Sequence, residues 1–206
     1  MRTEWNGAFL RAVLHATHSG LAGRQRAGFI TGPLADTVAA PGLTDILNVT
    51  LVPFGNARIE GGAVVCQHGA EECGGNSWEQ CAISIYPAFS EHWPFYLCLE
   101  QKLGSDGTQA VPLSNATAEC TKSSGLSYEK LKACVDDPAR SFALQKKFAA
   151  MTPSHPYVPY VLINGKLSPS DGEQLLKEVC QAYTGTPPAG CAQVLEAAAR
   201  KCTADW

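Results

Sequence analysis

The sequence has few charged residues and no excess of basic ones. Lysine, arginine, aspartate and glutamate make up 17% of its 206 residues, and the formal net charge is -3. Proteins that bind nucleic acid usually present a basic surface to the phosphates, so nucleic acid is not an expected partner. Long apolar runs are also missing, because Arg, Asp, Pro or Gly interrupts every apolar stretch well before the roughly 18 to 20 residues of a membrane span. The composition therefore predicts a chain with no membrane span.

A secretory leader is the next missing feature. Such a leader has a basic start followed by about 7 to 15 uninterrupted apolar residues, and here Arg11, His15 and His18 interrupt that span. The nine cysteines point the other way, because so many thiols favour an oxidising compartment. Two Asn-x-Ser/Thr sequons, at Asn48 and Asn115, are candidate glycosylation sites and add a weaker indication of secretion. We therefore expect a secretory route and a chain that does not begin where its functional relatives begin.

The order of the predicted elements favours an α/β fold. Residues 1–28 show no sustained period and are expected to be atypical or disordered, apart from a short strand over residues 11–17. Residues 48–54, "NVTLVPF", are β-branched and apolar and predict a buried strand. An interrupted helical face precedes that strand over residues 29–47. "HPYVPYVLING", residues 155–165, predicts a second strand followed by an Asn-Gly turn.

Three further segments have helical spacing. Residues 78–89 form a helical patch, and residues 139–151 can place Phe142, Leu144 and Phe148 on one buried side. The third helix begins after Ser170, which stands three residues before Glu173 and predicts a capping box. At this length, one ordinary domain with an insertion is the expected organisation.

The densest group of reactive side chains is "VVCQHGAEECGGNSWEQC". Cys66, His68, Cys73 and Cys81 are four candidate zinc ligands, but they lack the short Cys-x2-Cys pair typical of a structural zinc site. In an oxidising compartment paired thiols form disulfides first, so we expect structural disulfides and no metal. A catalytic set of Cys66, His68 and Asn76 has only composition in its favour, and His68 is expected to be a buried or capping residue.

The same stretch has a specific spacing, Cys-Gln-His-Gly-x2-Glu-Cys-x2-Asn-x4-Cys, which begins at Cys66. Together with "NVTLVPFGNA" upstream and "HPYVPYVLING" downstream, it resembles the signature of the gamma-interferon-inducible lysosomal thiol reductase family. The resemblance extends from about Phe29 to Cys191. It implies a thioredoxin-like fold with a cysteine-rich, mostly helical insertion. It also implies reduction of protein disulfides at acid pH, in lysosomes or outside cells, on disulfide-bonded or unfolded protein substrates and without a cofactor.

The resemblance also divides the chain. It implies a thioredoxin-like domain over residues 29–191, an insertion at about 58–137 and a C-terminal tail over residues 192–206. Most cysteines between Cys66 and Cys134 are expected to pair within that region and to close loops of tens of residues, with the pairing left open. The cysteines assigned to disulfides are Cys66, Cys73, Cys81, Cys98, Cys120, Cys134, Cys180 and Cys191.

Val158 and Pro159 are the predicted substrate-binding residues. In the thioredoxin fold a cis-proline begins the strand beside the redox pair, and the residue before it offers its backbone N–H and C=O to an extended substrate. Only about 5–6% of X-Pro bonds in folded proteins are cis. The resemblance nevertheless implies a cis bond between Val158 and Pro159.

The chain lacks the cysteine pair that the family reaction needs. Family members carry Cys-x-x-Cys at the start of the first helix, where the helix dipole and neighbouring donors lower the pKa of the attacking thiol. No two of the nine cysteines have that spacing. Aligning Phe29 with the phenylalanine that commonly follows the motif places the missing pair near Gly23 and Arg26. We therefore predict no catalytic residue and an inactive reductase.

Two explanations of the missing pair remain open. A wrong start, a skipped exon or a frameshift would replace the leader, the first strand and the redox motif in one event, and this explanation is favoured. Alternatively, the chain is a true noncatalytic paralogue, a secreted binding module for extended or unfolded peptides. The transcript sequence upstream of Phe29 distinguishes them, because a leader followed by Cys-x-x-Cys in any frame decides for the enzyme.

Overall fold

The structure is a computed structural model that describes residues 28–103, 111–192 and 194, and the backbone of residues 8–14. Its strands are β1 (Ala8–Leu14), β2 (Leu47–Pro53), β3 (Arg58–Glu60), β4 (Ala63–Val65), β5 (Tyr160–Ile163) and β6 (Lys166–Leu167). Its helices are α1 (Ala35–Ala39), α2 (Ala70–Ile85), α3 (Phe89–Leu103), α4 (Leu113–Ser124), α5 (Tyr128–Val135), α6 (Pro138–Met151) and α7 (Leu175–Ala182), with a π-helical turn at Ile30–Leu34 directly before α1.

A mixed sheet with the strand order β2-β1-β5-β6 organises the fold. Strand β1 pairs in parallel with β2 and antiparallel with β5, and β6 pairs antiparallel with β5. The parallel pair is connected through the first helix, as a parallel connection requires. The chain runs through a strand, a helix, a parallel strand, an antiparallel hairpin and a final helix. In this sheet order, these elements are the thioredoxin-like fold.

The N-terminal part of the sheet differs from the sequence prediction. Strand β1 covers Ala8–Leu14, whereas the sequence predicted a strand over residues 11–17 within an otherwise disordered segment. The prediction of a strand is confirmed for residues 11–14, and the expectation of disorder is wrong for residues 8–10, which pair with β2. Residues 15–17 lie outside the described residues. Gly23 and Arg26, where the missing cysteine pair is expected, lie outside the described residues.

The first helix passes through a proline that was expected to break it. Pro33 has no N–H to donate, and the helix accommodates it in the π-helical turn Ile30–Leu34. The Pro33 carbonyl still accepts a hydrogen bond from Thr37 Oγ1 at 2.6 Å. The helix ends at Ala40, which is extended because the residue before a proline, here Pro41, is disfavoured in the helical region.

Helices cover both faces of the sheet. Successive side chains of a strand point to opposite faces, so Val49 and Leu51 of β2 contribute to one core while Val52 contributes to another. The first core lies beneath the first helix, α3 and α7. The second includes Phe148 of α6 and Val158. The sheet is therefore buried on both sides, which explains why β2 and β5 appear in the sequence as apolar, β-branched runs.

The region between β2 and α6 is a hairpin, β3–β4, followed by four helices with a core of their own. The helix predicted over residues 78–89 is in fact the end of α2 and the start of α3, because the chain leaves the helix at Tyr86, directly before Pro87. Within the described ranges, no helix is both long and apolar enough to span a bilayer.

All eight cysteines assigned to disulfides are paired. The bonds are Cys66–Cys73, Cys81–Cys134, Cys98–Cys120 and Cys180–Cys191. Two of them close the long loops that were expected, with sequence separations of 53 and 22 residues, but Cys66–Cys73 spans only 7. Because three of the four candidate zinc ligands are bonded to other sulfurs, the zinc site considered from the sequence does not form.

In the C-terminal part, the predicted Asn-Gly turn is confirmed and the predicted helix cap is wrong. Asn164 and Gly165 join β5 to β6 with φ values of 51° and 77°, as a two-residue hairpin turn requires. The predicted capping box is wrong, since α7 begins at Leu175. Asp171 and Gly172 have φ values of 54° and 88°, which no right-handed helix can include, so the chain makes a turn there before the helix starts.

Candidate substrate-binding site

A pocket of about 330 Å³ opens beside the strand β5. It lies where the start of the first helix, the segment before β5 and the loop between β6 and α7 come together. The residues that line it are Gly28, Phe29, Pro33, Tyr157, Pro159, Asp171 and Glu173. Its walls combine apolar and aromatic side chains with the polar groups of Tyr157, Asp171 and Glu173, and its volume falls at the small end of the range of ligand pockets.

Gly172 lies close to the ring of Phe29, one of the pocket residues. Phe29 is only 4% exposed, and a Cβ atom built on Gly172 would lie 2.5 Å from its ring carbon Cε2 and 3.1 Å from Cγ2 of Val161. The glycine therefore lets the loop approach the first helix, and its φ of 88° also favours glycine.

Replacing Gly172 with alanine should destabilise the protein more than the same change at Gly165. Both residues have positive φ, so each alanine carries a backbone cost of about 1–2 kcal/mol. At Gly165 the new methyl group meets no atom within 4 Å. At Gly172 it overlaps the Phe29 ring, which adds about 1–3 kcal/mol. Chemical denaturation of the two variants measures the difference, and equal losses would contradict the close-contact role of Gly172.

The loop that carries Asp171 and Glu173 is held by Glu178 on α7. The Glu178 carboxylate accepts hydrogen bonds from Ser168 Oγ and, at 3.1 Å, from the backbone N–H of Ser170. Ser168 Oγ in turn accepts from the backbone N–H of Gly172 at 2.8 Å. This partly buried network fixes the conformation of the loop and therefore one wall of the pocket.

Tyr157 connects the opposite wall to the same loop. Its hydroxyl donates a short hydrogen bond to the Asp171 carboxylate. The segment before β5 and the loop after β6 are thus joined across the pocket.

The peptide bond between Val158 and Pro159 is cis, as predicted. The Val158 side chain is 3% exposed and packs in the same cluster as Val52 and Phe148. Pairing between β1 and β5 ends at Tyr160, so Val158 and Pro159 lie just before the paired part of the strand, at the edge of the pocket. That they bind substrate stays a prediction.

A hydrogen-bond network connects three segments that were singled out in the sequence. His155 Nε2 lies 3.0 Å from Asn56 Oδ1, and His155 Nδ1 lies 2.8 Å from the carbonyl oxygen of Pro153. Asn56 donates from Nδ2 to Gln67 Oε1 at 2.7 Å. The "HPY", "GNA" and "CQH" segments therefore meet at one place, three residues before Val158.

The cysteine-rich signature forms the start of α2. The backbone N–H of His68 donates to Glu72 Oε2 at 2.6 Å, and His68 Nδ1 lies 3.0 Å from the same oxygen. His68 lies directly before Gly69, the N-cap of α2, and no side chain caps that helix. Its side chain is 30% exposed, so neither the predicted buried role nor the predicted capping role is observed. Because the Cys66 sulfur is bonded to Cys73, the Cys66, His68 and Asn76 catalytic set does not assemble.

The two sequon asparagines are both on the surface. Asn48 is an exposed residue of β2, and Asn115 is exposed in the first turn of α4. Glycosylation of either residue stays a prediction.

Sequence reasoning missed Tyr157, Asp171 and Glu173 as pocket residues. Glu173 was interpreted as a helix cap, and Asp171 was given no role. The available clue was the cluster of turn-forming residues around Asp171, which indicates a loop rather than a helix start.

These features define the class of protein. It is a thioredoxin-like domain with an inserted helical region closed by disulfides, and its pocket lies between the first helix and the strand led by the cis-proline. The family model described as gamma interferon inducible lysosomal thiol reductase (GILT) matches residues 23–124. The chain belongs to this family.

Similar proteins come from distant organisms. The chain is 34% identical to the gamma-interferon-responsive lysosomal thiol protein of Arabidopsis thaliana, over 69% of this chain and 59% of the relative. It is 32% identical to the gamma-interferon-inducible lysosomal thiol reductase of Carassius auratus, over 75% and 62%. The chain thus matches about three-fifths of the length of these relatives. Among solved structures, it is similar to the oxidoreductase DsbA from Xylella fastidiosa, with a TM-score of 0.48, 15% identity, and 95% and 88% of the two chains covered.

Proposed function

We propose that this protein is a thiol–disulfide oxidoreductase family member that binds extended or unfolded polypeptide at the edge formed by Val158 and Pro159 and that, with its present sequence, carries out no exchange. The observation that carries the proposal is the pocket beside Pro159, which lies at the start of the first helix, where family members place their redox pair. The proposed setting is an acidic lysosomal or extracellular compartment, and the proposed substrates are disulfide-bonded proteins.

The family reaction requires two thiols with separate tasks. A thiolate attacks one sulfur of the substrate disulfide and forms a mixed disulfide, and the other substrate sulfur leaves as a thiol. The second thiol of the pair then displaces the remaining substrate sulfur, so the substrate is reduced and the pair is oxidised. The eight cysteines in disulfides here are already oxidised, and none has the Cys-x-x-Cys spacing. We therefore propose a protein that binds substrate without exchange.

With its present sequence the protein should reduce a disulfide-bonded substrate no faster than free dithiol does. The measurement is the release of substrate thiols at acid pH in the presence of a dithiol, with and without the protein. A family member that carries Cys-x-x-Cys is the positive control. Clear acceleration by this chain would show that another of its cysteines exchanges.

A binding measurement tests the proposed polypeptide site directly. A reduced and alkylated unfolded polypeptide, carrying a fluorescent label, should bind the protein, and Tyr157→Ala should weaken binding by up to about tenfold, since an aromatic contact is worth about 0.5–1.5 kcal/mol. The control is Phe142→Ala, which removes a half-exposed aromatic ring from α6, away from the pocket. Equal weakening by both variants, or no binding by the unchanged protein, would contradict the proposed site.

A further inference from the structure

The chain between α6 and β5 carries the proposed binding edge and has no regular structure of its own. Residues 152–159 belong to neither a helix nor a strand. Backbone outside such elements is not fixed by a ladder of hydrogen bonds, so its position depends on the contacts of its side chains. Two of these side chains form hydrogen bonds with other parts of the fold, Tyr157 with Asp171 and His155 with Asn56.

The His155 ring has a defined orientation. Its Nδ1 lies 2.8 Å from the carbonyl oxygen of Pro153, and its Nε2 lies 3.0 Å from Asn56 Oδ1. A carbonyl oxygen can only accept, so Nδ1 carries a hydrogen, and this local bond directs Nε2 toward Asn56. The ring centroid is also 6.0 Å from that of Tyr160, the first residue of β5, within the range of aromatic pairs. His155 therefore makes contacts on both sides of the binding edge in the sequence.

Asn56 is a fixed partner for this ring. Its Nδ2 donates to Gln67 Oε1 at 2.7 Å. Gln67 directly follows Cys66, and the bond from Cys66 to Cys73 closes a loop of the chain around it. The hydrogen bond from His155 thus reaches a part of the protein that is held by a further hydrogen bond and a covalent cross-link.

The side chain of Val158 is anchored at the same place. It belongs to the same buried apolar cluster as Phe54 and Ala57, the first and last residues of the turn that carries Asn56. The backbone N–H of Ala57 donates to the carbonyl oxygen of Phe54 at 3.1 Å and closes that turn. The polar anchor at His155 and the apolar anchor at Val158 therefore share one turn.

We propose that His155 is a positioning residue for the polypeptide-binding edge and acts through its hydrogen bond to Asn56. This bond fixes the chain three residues before Val158, so the backbone N–H and C=O of Val158 keep the direction in which an extended polypeptide pairs with them. An edge that is fixed beforehand loses less conformational freedom when it binds. The inference rests on the proposed polypeptide-binding function. It adds a residue outside the set that lines the pocket.

Two substitutions of His155 separate its two hydrogen bonds. The amide nitrogen of His155→Gln falls near the place of Nε2 and can donate to Asn56 Oδ1, whereas that of His155→Asn falls near Nδ1 and reaches only the Pro153 carbonyl. The measurement is the affinity for the labelled, reduced and alkylated polypeptide. His155→Asn should weaken binding by about three- to tenfold, as the loss of one neutral hydrogen bond does. His155→Gln should bind within about twofold of the unchanged protein, because it keeps the bond to Asn56.

Asn56→Ala removes the same hydrogen bond from the other partner, and it tests the inference even where His155→Asn does not fold. It should weaken binding by a similar factor. Adding His155→Asn to Asn56→Ala should then cause little further loss, because the two residues share one interaction. Losses that add fully would show that His155 does not act through Asn56, contrary to the proposal.

Ser127→Ala controls for a general loss of stability. Ser127 Oγ caps α5 in the insertion by accepting a hydrogen bond from the backbone N–H of Lys130 at 3.3 Å, and loss of an N-cap destabilises a protein. Urea unfolding should show a lower midpoint for this variant, with the affinity for polypeptide unchanged. If the affinity falls in Ser127→Ala as it does in His155→Asn, the effect of His155 is only structural and the proposal is wrong.

The same experiment distinguishes this inference from the function on which it rests. If the unchanged protein binds and His155→Asn binds equally well, His155 does not position the edge, while the proposed binding function stands. If the unchanged protein does not bind, the proposed function is wrong and the role of His155 in binding falls with it.

Discussion

Replacing both Cys81 and Cys134 with alanine should destabilise the protein by about 4 kcal/mol. The bond joins α2 to α5 across a sequence separation of 53 residues, and a cross-link of that length removes much of the conformational freedom of the unfolded chain. Both cysteines are fully buried in the core of the insertion, so lost packing adds to the effect. The free energy of unfolding under non-reducing conditions measures the loss.

The Cys66–Cys73 bond provides a matched control within the same region. Its sequence separation is 7 residues, for which the same chain-entropy model gives about 2.5 kcal/mol. The double alanine variant at these positions should therefore lose distinctly less stability than the Cys81 and Cys134 variant. An equal or larger loss would mean that local packing, rather than loop length, decides the contribution of these bonds.

The pairing of the cysteines illustrates what the sequence could not provide. Eight cysteines allow 105 connectivities, and Cys81 gives no local sign that its partner is Cys134 rather than the nearer Cys98. The choice depends on the packing of α2 against α5 and of α3 against α4, which places each pair of sulfurs together. Local patterns do predict the elements on which these cysteines lie, but the relative position of the elements is a tertiary property.

The strands show the same division between local and distant information. Strands β2 and β5 were predicted because both faces of the sheet are covered, which leaves continuous β-branched runs such as "NVTLVPF". The predicted strand over residues 11–17 starts three residues after Ala8, where β1 begins. Asn6-Gly7, a turn-forming pair, stands directly before β1, but the strand is defined by its pairing with β2 and β5.

The candidate site combines local and tertiary contributions in a similar way. The resemblance pointed to Val158 and Pro159, because that part of the site is one continuous segment. The opposite wall comes from Asp171 and Glu173, and the sequence Ser-x-x-Glu suggested a helix cap there. The turn at Asp171 and Gly172 shifts the helix start by several residues and turns both acids toward the pocket, which a local pattern cannot predict.

Restoring a cysteine pair by Gly23→Cys with Arg26→Cys should produce reductase activity if the rest of the site is intact. Gly28 and Phe29, which line the pocket together with Pro159, stand two and three residues after Arg26 in the sequence. When the pKa of a thiol falls by about two units, its thiolate fraction at acid pH rises about a hundredfold. Each thiolate is also less nucleophilic, which lowers the rate of attack about tenfold. We expect the rate to exceed that of free dithiol by about tenfold, before any gain from substrate binding.

Two variants make the result decisive. Gly23→Ser with Arg26→Ser changes the same positions without a thiol and should stay at the rate of free dithiol. Gly23→Cys alone has an attacking thiol with no resolving partner, so it should accumulate a mixed disulfide with the substrate that mass spectrometry detects. If the double-cysteine variant forms its own disulfide but neither turns over nor traps substrate, the remaining site is not that of a reductase. The chain would then be the noncatalytic binding module, and its function would be tested by the binding of labelled polypeptide alone.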